Sequence, residues 1–225
     1  MSDDRMGSIA LAAGAVGTLV TMAFHPTGSD LFVAGRLETV SRVAALVHAL
    51  ALVSMLALFL GAIGLTRRAT SPDRLAVAAL VAFGFASVAG MIAATMSGFI
   101  APGLARQIIA ADAPAANQAW RIALNYTGRV NQAFAQLLVV GSSLAIVLWS
   151  AAILRSRALA RGIGIYGLVL GPLIVVALAS GHFRLHVRGF GLVIILQSVW
   201  FITVAAFMWR SRTAASRPPA ATGSP

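Results

Sequence analysis

Residues 75–100 read LAVAALVAFGFASVAGMIAATMSGFI, twenty-six positions without one charged side chain. A helix rises about 1.5 Å per residue, so roughly 20 apolar residues cross a hydrocarbon core about 30 Å thick. Five further runs meet or approach that requirement: Ile9–Phe24, Val43–Leu65, Val130–Leu154, Ile163–Ser180 and Phe190–Trp209. Of the 225 residues 59% are hydrophobic and 10% charged, where a soluble domain is about half apolar and about a quarter charged. Mean hydropathy is +0.89. The sequence therefore predicts an all-α fold, a polytopic bundle of six transmembrane helices. One domain covers 1–212. A tail rich in Pro, Ala and Ser, 213–225, is expected to be disordered. The first run is short enough for the apolar part of a signal peptide. Its acidic start, Met1-Ser-Asp-Asp4 with Arg5 as the one base, favours an uncleaved first helix.

The net charge of +11 comes from 17 arginines, with no lysine, against six acids. Nucleic acid is a poor explanation, because the arginines flank apolar runs and do not share one soluble face. Six crossings put both termini on one side of the bilayer. That side collects Arg5, Arg67, Arg68, Arg74, Arg155, Arg157, Arg161, Arg210, Arg212 and Arg217, and the other side has seven arginines. The excess beside short loops marks the cytoplasm, so both termini are expected there. Arginine without lysine, with abundant alanine, suits a bacterial chain and its cytoplasmic (inner) membrane. The lipid bilayer is the first expected partner, and no cysteine is present for thiolate or disulfide chemistry.

Local signals add detail. Ser71-Pro72-Asp73 and Asp112-Ala-Pro114 are helix starts, the second opening a helix that runs into the fourth span. Ala86, Gly90, Ala94 and Gly98 form a row of small residues in the third span, and Gly167 with Gly171 a pair in the fifth. Such rows let helices approach closely, inside the chain or across a homodimer. Trp120, Tyr126, Trp149, Trp200 and Trp209 are expected at the membrane interfaces, where amphipathic rings settle.

No Asp or Glu falls within a predicted span, which disfavours proton-coupled transport and paired-carboxylate catalysis. There is no phosphate loop, H-E-x-x-H or G-x-S-x-G. The histidines His25, His48, His182 and His186 all fall in the outer half under this topology. His48 is the one ionisable group well inside a span, where such a group faces the bundle interior. On the fourth span Asn125, Arg129, Gln132, Gln136 and Ser143 fall within about 60° of one another at about 100° per residue. Gln132 and Gln136 of that stripe, with Arg129, His48 and Gln197, are candidates to line an outward polar cavity for a small-molecule ligand. The same polar groups also suit hydrogen bonds between helices. His182 and His186, four apart, suit a metal pair. A haem b or a divalent metal held by His48 with His182 or His186 is a second reading.

Part of the second half resembles bacterial six-helix inner-membrane families without an established function. The likeness runs from Leu124-Asn-Tyr-Thr-Gly128 through Gln136 and Leu148-Trp149. It continues from Leu159 to Leu170, where Arg161-Gly-Ile-Gly164 opens a span. It implies a six-helix bundle and brings no catalytic residues. A fainter similarity, in the order Ser41, His48, His182 and His186, is to seven-helix hydrolases of the alkaline ceramidase type, and implies an intramembrane zinc-dependent hydrolase. Six spans in place of seven, and a missing Asp, depart from that pattern. Binding without catalysis is the leading expectation.

Overall fold

The computed structural model describes residues 3–69, 74–181 and 185–215, without the side chains of 3, 4, 69 and 211–215. The Ser71-Pro72-Asp73 start, His182 and the tail from 216 lie outside the described residues. Those described form helices and turns, with no strand among them. The helices are α1 (Asp3–Ala23), α2 (Leu37–Ala69), α3 (Arg74–Thr95), α4 (Ala101–Ala110), α5 (Pro114–Ser156), α6 (Arg161–Ala179) and α7 (Val187–Ala215). A π turn, Met96–Ile100, joins α3 to α4 as one continuous span. Six spans are long and apolar enough to cross a membrane, the property of a multi-pass membrane protein. Large apolar side chains face outward along them, including Leu46, Val53, Phe85, Leu173 and Val176, as lipid permits and water does not.

The ends of these helices have local causes. Pro26 follows α1, and a 3₁₀ turn, Gly28–Phe32, carries the chain to α2; the Thr27 amide donates to the Asp30 carboxylate at 2.7 Å. Arg67 and Arg68 occupy the last turn of α2, where cations complement the helix dipole. Pro102 sits in the first turn of α4. It has no N–H, and its ring would crowd the carbonyl four residues back, at Gly98. The π turn accommodates this: the Ala101 amide donates to the Met96 carbonyl, five residues back. Pro114 likewise opens α5, and Arg157 ends it in the left-handed region at φ 54°, its amide bonded to the Ile153 carbonyl.

In the bundle α1 lies against α2 and α7, α2 against α3, α3 against α5, and α5 against α6. Tyr166 and Trp200 tie α6 to α7 by donating to the carbonyls of Leu196 and Ile163. The two ends of the described chain adjoin: Ser8 donates to the Ala205 carbonyl, and Arg5 lies over the Trp209 ring at 5.3 Å. We call this the terminal end. The α1–α2 seam is backbone on backbone, since a Cβ on Gly61 would lie 2.5 Å from the Leu11 amide nitrogen. Both rows of small residues are engaged within the chain. Gly90 faces Met55 and Leu138, Gly98 faces His48, Gly167 faces Ser150 and Trp200, and Gly171 faces Ser143.

Trp149 and Trp200 correct the expectation of interfacial anchors: both are 0% exposed. With Phe83 and Phe201 they form an aromatic cluster at centroid separations of 5.2–6.4 Å. Trp149 donates to the Thr66 hydroxyl at 3.0 Å and Trp200 to the Ile163 carbonyl at 3.2 Å. Each indole N–H therefore has a partner inside the bundle and needs no headgroup. Trp120, Tyr126 and Trp209 are exposed.

Candidate functional site

Away from the terminal end the packing opens. Two adjoining cavities, about 130 and 450 Å³, share a polar wall of His25, His48, Ser97, Asn131 and Gln132. Four elements supply it. His25 follows the last turn of α1, and His48 stands on α2. Ser97 belongs to the π turn, and Asn131 and Gln132 to α5. The smaller cavity runs inward between Met22, Met55 and Leu138. The larger is bounded by the 3₁₀ segment and by His186 just before α7.

The two histidines are fixed in the same way. His48 is 4% exposed, and its Nδ1 lies 2.7 Å from the carbonyl of Ala44, one turn back on α2. His25 Nδ1 lies 2.8 Å from the Pro26 carbonyl. A carbonyl only accepts, so each Nδ1 carries the proton, and in the neutral ring each Nε2 keeps its lone pair. The rings meet edge to face, centroids 4.8 Å apart and planes at 67°. Burial holds the His25 imidazole below its ordinary pKa range, against the opposing effect of the Pro26 carbonyl. Gly98 closes the back of the His48 ring. A Cβ there would collide with the His48 Cβ and stand 2.7 Å from its Cγ, so glycine is what the close approach permits.

The residues singled out in the sequence take different places. His48 and Gln132 come together in the shared wall, and His186, exposed, lies at the edge of the larger cavity. Arg129 and Gln136 are exposed and line neither cavity. Gln197 is buried, but in a bond network and not a cavity wall. Its carbonyl accepts from Ser142 and its amide donates to Ser143, both at 3.0 Å. Ser41 is buried with its hydroxyl unpartnered, and it too lines neither cavity.

The stripe on α5 divides because the inward face of that helix runs through Asn131, Ala135, Leu138 and Ser142. It is turned from Arg129 and Gln136 by roughly 140°, at about 100° per residue. Gln132 sits at the boundary between the two faces. Sequence reasoning passed over His25, Ser97 and Asn131 as members of this wall, and Gly98 as the residue behind the His48 ring. One signal was present. His25 ends the first span and His48 begins the second from the same side, so the two meet if those helices are neighbours. Ser97 and Gly98 depend on the π turn, for which Pro102 four residues beyond Gly98 was the cue. No family model matches the chain, and no curated protein or solved structure matches it.

Proposed function

We propose that this chain is an inner-membrane protein that binds a small molecule or ion in the cavity between α1, α2, the π turn and α5. It works by binding and not by catalysis. One observation supports this above the rest: polar side chains from four separate elements converge on one wall, while Met22, Met55 and Leu138 line the space beside it. A largely apolar concavity with a few convergent polar groups is the usual form of a ligand site. Under the arginine distribution both termini are cytoplasmic and the cavity opens toward the periplasm.

Two experiments test the reading. The chain has no cysteine, so single cysteines report cleanly. Asn131→Cys should react with a small water-soluble thiol reagent added to the periplasmic face, and Ile146→Cys, at a fully buried position, should not. Equal protection at both positions would overturn the cavity. A reporter active only in the periplasm should be silent after Arg212 and active between Ala110 and Ala116. The reverse pattern would turn the site toward the cytoplasm.

A further inference from the structure

We propose that His25 and His48 jointly bind one soft, monovalent metal ion of the copper(I) type through their Nε2 atoms. This rests on the reading of the cavity as a binding site and names the class of its ligand. Both rings border both cavities. In each, a backbone carbonyl accepts a hydrogen bond from Nδ1–H and leaves Nε2 as the electron-pair donor, the arrangement that orients metal-binding histidines. The spacing agrees as well. Two imidazoles whose nitrogens sit about 2.0 Å from a common ion, at a near-tetrahedral angle, have centroids roughly 5 Å apart. Here the centroids are 4.8 Å apart.

The chemistry of the walls selects the ion. Among the described residues no Asp, Glu, Lys, Arg or Cys lines either cavity; the titratable side chains there are His25, His48 and, at the edge of the larger cavity, His186. No three His, Cys, Asp or Glu side chains cluster there as a ligand set. Beside the oxygens of Ser97, Asn131 and Gln132 on the shared wall, the further donors are thioethers: Met22 and Met55 in the smaller cavity, Met96 in the larger. Met22 precedes His25 by three residues, and Met55 follows His48 by seven, about two turns along α2. Imidazole and thioether together favour copper(I) over hard cations. Neutral donors leave the charge of the ion uncompensated, and the cost of moving a charge out of water is severe without a counter-charge. That cost rises with the square of the charge, so these neutral walls disfavour a divalent ion more than a monovalent one. Gly98 is a positioning residue, because a side chain there would displace the His48 ring.

The test uses the full-length protein in detergent, stripped of metal and kept under ascorbate. Wild type should withdraw one equivalent of copper(I) from a chromophoric chelator. Silver(I) should compete, and zinc(II) at equal concentration should not. His25→Ala and His48→Ala should each weaken uptake about ten-fold or more, the range seen even for groups one bond removed from a metal. Gly98→Ala should weaken it less. X-ray absorption of the loaded protein should show imidazole nitrogen and sulfur neighbours. If His48→Ala fails to run as a single species on size exclusion, His25→Ala, outside the helices, carries the comparison. No uptake by wild type, undiminished uptake by a variant lacking both histidines, or preference for zinc(II) would each overturn the inference. Reagent labelling of Asn131→Cys separates the two readings. A labelled cavity without copper uptake removes the metal alone, whereas a protected cavity without uptake removes both.

Discussion

The terminal half of the bundle and the histidine half use the same kinds of residue to opposite ends. Near the termini, Phe83, Trp149, Trp200 and Phe201 fill the space between helices, and each indole N–H is paired. At the level of Gln197 the amide has two serines facing it on α5. Gln132, also a glutamine on a long span, has no such complement and borders open volume instead. What separates glue from cavity wall is thus the opposite helix and not the residue itself. Where the opposite face offers hydroxyls, a polar side chain closes the bundle. Where it offers a glycine behind a histidine and a π turn, the bundle stays open.

The largest expected effect that sharpens this contrast is Trp149→Ala. It removes the centre of the aromatic cluster and the hydrogen bond from the indole to the Thr66 hydroxyl, and large-to-small changes of this kind cost about 3–5 kcal/mol. Thermal or denaturant unfolding in detergent should show it, and a loss under about 1 kcal/mol would mean the cluster does not anchor the fold. Next is Gly61→Val, which forces α1 from α2 at the Leu11 backbone and should cost about 1–3 kcal/mol. Its counterpart Gly103→Ala, with nothing within 4 Å of the new methyl, should be neutral or slightly stabilising by helix propensity. If both variants unfold alike, the close approach read at the seam is not the cause.

A smaller effect separates the two glutamines. Gln197→Leu breaks two buried bonds and should cost about 0.6–2 kcal/mol in a membrane-like setting. Gln132→Leu should leave stability near wild type and lower reagent access at Asn131→Cys. Equal losses of stability would make Gln132 a packing residue too. The smallest effect is on pH. Burial lowers the His25 pKa in the fold, so the unfolded chain, titrating near 6.5, takes up the proton first. Its contribution is fully present above that value and is lost as pH falls from about 6.5 toward the lowered folded pKa, with no further loss below. Unfolding of metal-free protein across this window should slope downward with acid, and His25→Gln should flatten the slope.

The six spans were legible because a hydrocarbon core imposes a length of apolar chain that few other structures require. The start of α5 at Pro114 was legible as well, from Asp112-Ala-Pro114. The start of α2 was not: it begins at Leu37, well before its apolar run. Hydropathy registers immersion in lipid, and a helix that continues beyond it carries no such mark. Arg106 with Glu38, bonded twice at 2.8 and 3.1 Å, and Asn117 on the Ile108 carbonyl hold those extensions. Burial of His48 followed from its place in a span. Its partner His25 did not, because that meeting depends on how the chain turns after α1. Trp149 and Trp200 were misread for a related reason. A tryptophan seeks an interface only when no acceptor waits inside, and Thr66 and the Ile163 carbonyl are tertiary neighbours.

The π turn has a consequence for how this span is numbered along its own surface. It holds one residue more than an α-helical turn, so α3 and α4 run in different phases. A helical wheel drawn unbroken from Leu75 to Ala110 is correct up to about Thr95 and then out of step by one position, about 100°. Removing a single residue from Met96–Ile100 would restore one phase throughout. Arg106 would then swing away from Glu38, and Gly98 would no longer lie behind the His48 ring. The shape of the histidine pocket is in that sense set by one surplus residue, a unit of change that insertion or deletion supplies and substitution does not.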